Sequence, residues 1–161
     1  MRTLKVCMVF ITAAMQLLFS GCMNTDKNVV IDHNVTITDQ NWSYVDKIKL
    51  DVKIDDASAF YNIYFNLRIT PDYKYSNLFV LIHQTGPDKK TKNIRQEYTL
   101  ANPDGEWLGQ GSGNLYSYQI PSHLHYKFPA KGVYHYVIEQ NMRDNPLHEV
   151  SDVGLRVEKA E

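Results

Sequence analysis

An apolar side chain occupies every second position of the stretch Lys47-Ile48-Lys49-Leu50-Asp51-Val52-Lys53-Ile54-Asp55, with charged side chains between them. Because side chains alternate across a β-strand, this pattern predicts a strand with one buried and one exposed face. Residues 61–69 repeat the alternation, and Pro71 follows shortly after, where a proline ends a hydrogen-bonded ladder. The fold is therefore predicted to consist of strands.

Six further short strands follow, separated by turn residues, at residues 78–83, 94–100, 115–120, 124–128, 132–139 and 153–158. Residues 78–83 are almost wholly apolar, which is typical of a strand covered on both faces. Helical periodicity is not sustained anywhere in the chain. We therefore predict an all-β fold, a single β-sandwich of two stacked sheets, with either a jelly-roll-like or an immunoglobulin-like topology.

The N-terminal segment has the pattern of a bacterial lipoprotein signal peptide. Arg2 and Lys5 precede a mainly apolar stretch, residues 6–19, which is too short to span a bilayer comfortably. The sequence Leu17-Leu18-Phe19-Ser20-Gly21-Cys22 then supplies small residues for cleavage and a thiol for lipid attachment. An ordinary secretory signal or a loose membrane anchor is the alternative. We predict a signal peptide at residues 1–21, a lipid-anchored tether at residues 22–34 and a β-sandwich domain at residues 35–161.

Charge and cysteine content narrow the possible partners. The chain has 17 basic and 18 acidic residues, and removal of Arg2 and Lys5 with the signal leaves a net charge of −3, which argues against nucleic acid. Cys7 would leave with the signal and Cys22 would carry lipid, so no disulfide is expected within the mature chain. Two or more acyl chains hold a protein stably on a membrane. The lipid on Cys22 is therefore the expected membrane attachment.

The most unusual stretch of the domain is the glycine-rich segment at residues 100–113. Its Asn102-Pro103-Asp104-Gly105 sequence predicts a turn, followed by Trp107 and by glycines at 109, 111 and 113. Glycines two apart on an extended strand leave one face without side chains, and we expect another part of the same protein to pack there, in preference to a ligand. The candidate binding residues in this segment are Asp104, Trp107, Gly109 and Gly111.

A second candidate binding group combines Arg143 with Asp152 and Arg156 near the C-terminal strand. A local salt-bridged turn explains these charges equally well. Paired tyrosines two positions apart could stack on sugars or on a protein partner, but packing at the edge of the core with the hydroxyl in solvent is the favoured interpretation. These pairs are Tyr73 and Tyr75, Tyr116 and Tyr118, and Tyr134 and Tyr136.

The sequence predicts neither a metal site nor an enzyme. His123-Leu124-His125 is the best metal candidate, because side chains two apart on a strand point the same way, but zinc needs three or four ligands and no third is evident. The Gly-x-Ser-x-Gly motif of a nucleophile elbow does not occur. The sequence also does not identify residues that could act together as nucleophile, base and stabilising group of a catalytic site. We expect no catalytic residues, no metal and no cofactor.

Several stretches resemble the GldH family of gliding motility lipoproteins from Bacteroidota. They are Tyr61-Asn62-Ile63-Tyr64-Phe65-Asn66-Leu67-Arg68, Tyr75-Ser76-Asn77-Leu78, Pro103-Asp104-Gly105-Glu106-Trp107-Leu108-Gly109-Gln110-Gly111, Phe128-Pro129-Ala130-Lys131-Gly132-Val133-Tyr134, Glu139-Gln140-Asn141-Met142-Arg143 and Asp152-Val153-Gly154-Leu155-Arg156-Val157-Glu158. The resemblance implies a lipid-anchored, non-catalytic structural or assembly component of the gliding motility and associated protein-secretion machinery. It implies other envelope lipoproteins and membrane proteins as partners. Of the candidate residues it supports only lipidation of Cys22.

Two hypotheses of different classes remain at this point. One is the envelope assembly component, and the other is a ligand-binding sandwich for a carbohydrate or another envelope polymer. Met23 follows Cys22 where an inner-membrane retention signal would place Asp, and residues 24–27 lack the acidic cluster of a surface-export signal. We therefore expect an anchor in the outer membrane facing the periplasm, with the inner membrane as the alternative.

Overall fold

The computed structural model describes residues 27–160. The predicted signal peptide and Cys22 lie outside the described residues. The strands, in chain order, are β1 (Val29–Thr36), β2 (Asn41–Trp42), β3 (Ile48–Ile54), β4 (Tyr61–Ile69), β5 (Asn77–Thr85), β6 (Thr91–Thr99), β7 (Gln110–Ser112), β8 (Leu115–Tyr126), β9 (Gly132–Gln140), β10 (Leu147–His148) and β11 (Val150–Lys159). A 3-10 turn, Thr38–Gln40, follows β1. In this part of the chain no helix has the length and apolar character needed to cross a membrane.

The strands form two main antiparallel sheets. The five-stranded sheet has the order β1-β11-β4-β8-β7, and the four-stranded sheet has the order β3-β9-β5-β6. A short ribbon pairs β2 with β10. Two sheets that bury their apolar faces against each other make a sandwich, so the all-β prediction is confirmed.

The core lies between the two sheets and follows from the alternation in the sequence. In β3 the side chains of Ile48, Leu50, Val52 and Ile54 are buried and the charged residues between them are exposed, as predicted. β4 spans the predicted residues and buries its odd-numbered apolar side chains in the same way. Across the gap, the rings of Phe65 and Tyr98 stack with centroids 4.4 Å apart, which joins the two sheets directly.

The tether predicted for residues 22–34 extends too far into the domain. Residues 29–34 belong to β1, which pairs along β11 from Val29 opposite Glu158 to Thr36 opposite Asp152. The side chains of β1 are at most half-buried, so the strand has no strong apolar alternation. Val30, Ile31 and Val35 pack against the core, and ladder hydrogen bonds to β11 fix the register, which a hydrophobic pattern does not reveal.

Two other strand predictions need correction. The strands predicted at 115–120 and 124–128 form one strand, β8, which continues past Pro121. Pro121 lies beside a register shift opposite Ile63 and Tyr64, an irregularity where a missing N–H is tolerated. β5 was expected to be covered on both faces, but only alternate residues are buried, so it has one core face like the other strands.

Candidate functional site

The predicted turn at residues 102–105 is present. The N–H of Gly105 donates to the carbonyl of Asn102 at 2.9 Å, and Gly105 has a φ of +90°. This left-handed conformation suits glycine, as the sequence indicated. Asp104 is exposed at the tip of the turn, where its carboxylate accepts the N–H of Glu106 at 3.3 Å. Asp104 is therefore part of the turn itself.

The other three residues of this candidate group pack against tyrosines. The Trp107 ring is half-buried, with its centroid 6.4 Å from Tyr73 and 5.8 Å from Tyr116. A Cβ on Gly109 would lie 2.6 Å from the Tyr118 ring, and a Cβ on Gly111 would lie 3.5 Å from the Tyr116 ring. The prediction that the protein's own atoms pack on the glycines is confirmed for these two, but it is wrong for Gly113, where a Cβ would meet no atom within 4 Å.

Four of the six paired tyrosines are buried in the core, and Tyr75 and Tyr116 are half-buried. The Tyr73 hydroxyl donates to the carbonyl of Asn77 at 3.1 Å, and the Tyr118 hydroxyl donates to the carbonyl of Leu100 at 2.9 Å. Burial raises the pKa of Tyr118 to about 12, so it stays protonated at neutral pH. Packing of the pairs against the core is confirmed, but the hydroxyls of Tyr73 and Tyr118 bond to backbone carbonyls instead of solvent, because these two rings are buried.

The second candidate group is divided between the two sheets. Arg143 is exposed in the loop after β9, beside Phe79 and Arg95 of the four-stranded sheet. Asp152 and Arg156 lie on the outer face of β11 in the five-stranded sheet. The three residues therefore do not form one cluster.

Asp152 and Arg156 each have partners within the protein. Asp152 is 4% exposed and lies 3.1 Å from Nε of Arg68. The Arg156 guanidinium donates to Asp32 at 2.9 Å and to Glu158 at 2.8 Å. Partial burial opposes the charged form of Arg156, but these two carboxylates outweigh it and raise its pKa. Both residues therefore help to hold the outer face of the sheet together.

The histidine pair does not keep the alternation expected of a strand. His125 has a φ of +51° and lies in the irregular part of β8, so His123 and His125 are not regular i and i+2 neighbours. Ser122 Oγ is 3.2 Å from Nδ1 of His123, but the His123 ring packs against Tyr126 rather than a carboxylate. No group of three potential metal ligands occurs within residues 27–160.

A broad concavity lies on the outer face of the five-stranded sheet. It is an open groove of about 790 Å³, within the size range of small-ligand sites. We call it the amide groove and define it by the charged, amide and serine side chains that the five-stranded sheet contributes, Asp32, Asn34, Asn66, Arg68, Gln110, Ser117 and Gln119; Thr99 of β6 also lines it. At its rim lies Leu108, a large apolar residue that is 53% exposed.

A hydrogen-bond network fixes the side chains at the centre of this groove. The amide nitrogen of Asn66 donates to Asp32 at 2.8 Å and to Asn34 at 3.0 Å. Gln119 in turn donates to the amide oxygen of Asn66 at 3.3 Å. Asn66 is only 5% exposed, so its hydrogen bonds are made largely out of water.

The backbone brings these side chains together across three neighbouring strands. Asn34 of β1 lies opposite Gly154 of β11, which in turn lies opposite Asn66 of β4. A Cβ on Gly154 would lie 2.4 Å from the Asn34 side chain, so only glycine leaves room for the two asparagines to meet. The groove is not evident in the sequence because its residues are far apart in the chain.

Fold and site define an antiparallel β-sandwich with a preorganised polar groove on one outer face. A model of the GldH lipoprotein family matches residues 29–157, which is nearly all of the described domain. The chain belongs to the GldH lipoprotein family.

Two relatives agree with this assignment. The gliding motility lipoprotein GldH homolog of Christiangramia forsetii is 32% identical over 160 residues, covering 95% of this chain and 96% of the relative. The gliding motility lipoprotein GldH of Flavobacterium johnsoniae is 31% identical over 143 residues, covering 83% and 87%. No solved structure matches the chain.

Proposed function

We propose that this protein is a lipid-anchored, non-catalytic component of the gliding motility and associated protein-secretion machinery. It is attached through Cys22, on the periplasmic side of the outer membrane, and it works with other envelope lipoproteins and membrane proteins. The observation that carries the proposal is the family match over residues 29–157, the same residues that form the sandwich.

The N-terminal sequence and the character of the groove support this function. Residues 17–22 have the pattern of a lipoprotein cleavage site, and the curated relatives are named as lipoproteins. The central polar side chains of the amide groove are engaged with one another, as expected of a binding or structural surface. Catalysis would instead require a nucleophile or base directed at a reacting atom.

Replacement of the proposed lipidated residue tests the anchor. Cys22→Ala removes the thiol on which lipid is built, so the protein should move from the membrane fraction to the soluble fraction. Cys7→Ala is the matched control, because Cys7 lies within the proposed signal peptide and should not affect attachment. Retention of the Cys22→Ala protein in membranes washed at high salt would refute the lipid anchor.

Gene deletion tests the role in motility. In a host that both glides and secretes proteins by this machinery, deletion should abolish colony spreading and reduce secretion. The wild-type gene should restore both, and the Cys22→Ala gene should not. Normal spreading and normal secretion after deletion would contradict the proposed function.

A further inference from the structure

We propose that the amide groove binds a saccharide chain, a neutral polyhydroxylated segment of an envelope polymer. This site goes beyond the proposed role in motility and does not depend on it. Its residues come from β1, β4, β7 and β8, all in the five-stranded sheet.

The charges in the groove favour a neutral ligand. Asp32 accepts a hydrogen bond from Arg156 at 2.9 Å, and Arg68 lies 3.1 Å from Asp152. Each charged residue of the lining is thus already compensated within the protein, and no excess of either sign remains to attract an ion. The amide and hydroxyl groups are left to determine what binds.

Those groups supply hydrogen-bond donors and acceptors side by side. Gln110 and Ser117 line the groove, and their side chains make no hydrogen bond to any residue that the structure describes. An amide offers two donors and an acceptor, and a hydroxyl offers both roles. Sugar hydroxyls also donate and accept, so they can satisfy such a mixed surface.

The central groups are preorganised for binding. Asn34, Asn66 and Gln119 hold one another in place, so little side-chain freedom would be lost when a ligand binds. The rim adds apolar atoms from Leu108 and Pro121, against which the C–H face of a sugar ring can lie. The site therefore has both parts of a small-ligand pocket, fixed polar groups and a limited apolar surface.

A protein partner fits this groove less well. Protein interfaces place aromatic anchors in desolvated pockets. Trp107 packs instead against Tyr73 and Tyr116, and Leu108 is the exposed large apolar residue in the groove lining. We therefore favour a saccharide over a peptide, and the test below separates the two.

The experiment titrates the full lipidated protein in detergent with cellohexaose, maltohexaose and N-acetylated chitohexaose, using calorimetry. At least one sugar should bind with a Kd of about 1 mM or tighter. Gln110→Ala combined with Ser117→Ala should weaken that binding by about tenfold or more, because both lost groups contact the sugar. Lys49→Ala, an exposed change on the other sheet, is the control and should leave the Kd unchanged.

Three results would overturn the proposal. They are failure of all three sugars to bind at this level, equal binding by the wild type and the double variant, and binding of an extended Ser/Thr-rich peptide in place of the sugars. Thermal unfolding of the double variant should match that of the wild type, since both residues are on the surface of the sheet. If the sugars fail to bind but the deletion strain still loses motility, the saccharide site is rejected and the proposed role in motility is not.

Discussion

The two outer faces of the sandwich differ in how their polar side chains are held. On the five-stranded sheet, Asn66 is buried within the amide groove and bonds to residues of two other strands. The outer face of the four-stranded sheet, which we call the charged face, carries Lys49, Asp51, Lys53, His83, Arg95, His135 and Glu139. Its members form exposed pairs such as His135 with Asp51 at 2.6 Å.

The stability of the protein depends more on individual polar contacts at one of these faces than at the other. An exposed ion pair contributes about 0–1 kcal/mol, because water screens it and ordering two side chains costs entropy. A buried polar group that loses its partner costs about 1–3 kcal/mol. Substitutions on the amide-groove side should therefore destabilise the protein more than matched substitutions on the charged face.

The largest effect is expected from Gly154→Ala. The new Cβ would lie 2.0 Å from the backbone carbonyl oxygen of His33, so β1 would have to move away from β11. We expect a loss of about 3–4 kcal/mol in the free energy of unfolding, measured by urea denaturation. Gly111→Ala is the control, because its Cβ would meet only the Tyr116 ring at 3.5 Å. Equal stability of the two variants would show that β1 is not fixed in this register.

The next largest effect is expected from Asp152→Ala on the five-stranded sheet, and Asp51→Ala on the four-stranded sheet is its comparison. Asp152→Ala leaves Arg68 without its carboxylate and Thr36 without its 2.9 Å acceptor, and we expect about 2–3 kcal/mol of destabilisation. Asp51→Ala on the charged face should cost less than about 1 kcal/mol, because its side chain is 69% exposed. Chemical denaturation of both variants provides the comparison, and a larger loss for Asp51→Ala would reverse it.

Two asparagines, one on each main sheet, allow the same substitution to be compared at a buried and at an exposed hydrogen bond. Asn66→Ala removes donors to Asp32 and Asn34 in a buried position and should cost about 1–2 kcal/mol. Asn77→Ala removes one exposed hydrogen bond, to Glu97 at 2.7 Å, and should cost about 0.5 kcal/mol or less. The two substitutions delete the same atoms. The difference between their urea midpoints therefore measures the effect of the burial of Asn66 and of its hydrogen-bond network. Indistinguishable midpoints would mean that the network adds nothing to stability.

The sequence predicts the core better than it predicts the groove, for a physical reason. Burial of one face imposes a period of two along each strand, so β3 and β4 are evident from their own residues. β1 has consecutive apolar residues followed by polar ones instead of a regular alternation, so it has no comparable pattern.

The groove depends on strand register, which no local pattern contains. Asn34, Asn66 and Gln119 become neighbours only after four strands, β1, β11, β4 and β8, have paired. Trp107 is a candidate binding residue in the sequence because a sequence does not show which aromatic rings will pack together. In the structure its half-buried ring packs against tyrosines from two other parts of the chain, Tyr73 and Tyr116.

The smallest expected effect is a pH dependence confined to the charged face. Hydrogen bonds from His83 to Glu139 and Asn93 raise the pKa of His83, although burial and Lys47 oppose the shift. A raised pKa means that protonated His83 stabilises the fold below its ordinary pKa of about 6.5, and that this contribution is lost as pH rises through the folded value. Relative to wild type, His83→Gln should therefore lose up to about 1 kcal/mol at pH 5.5 and almost nothing at pH 8.5, by urea denaturation. In a Glu139→Gln background the same substitution should lose most of its pH dependence, and an unchanged dependence there would assign the effect to another pair.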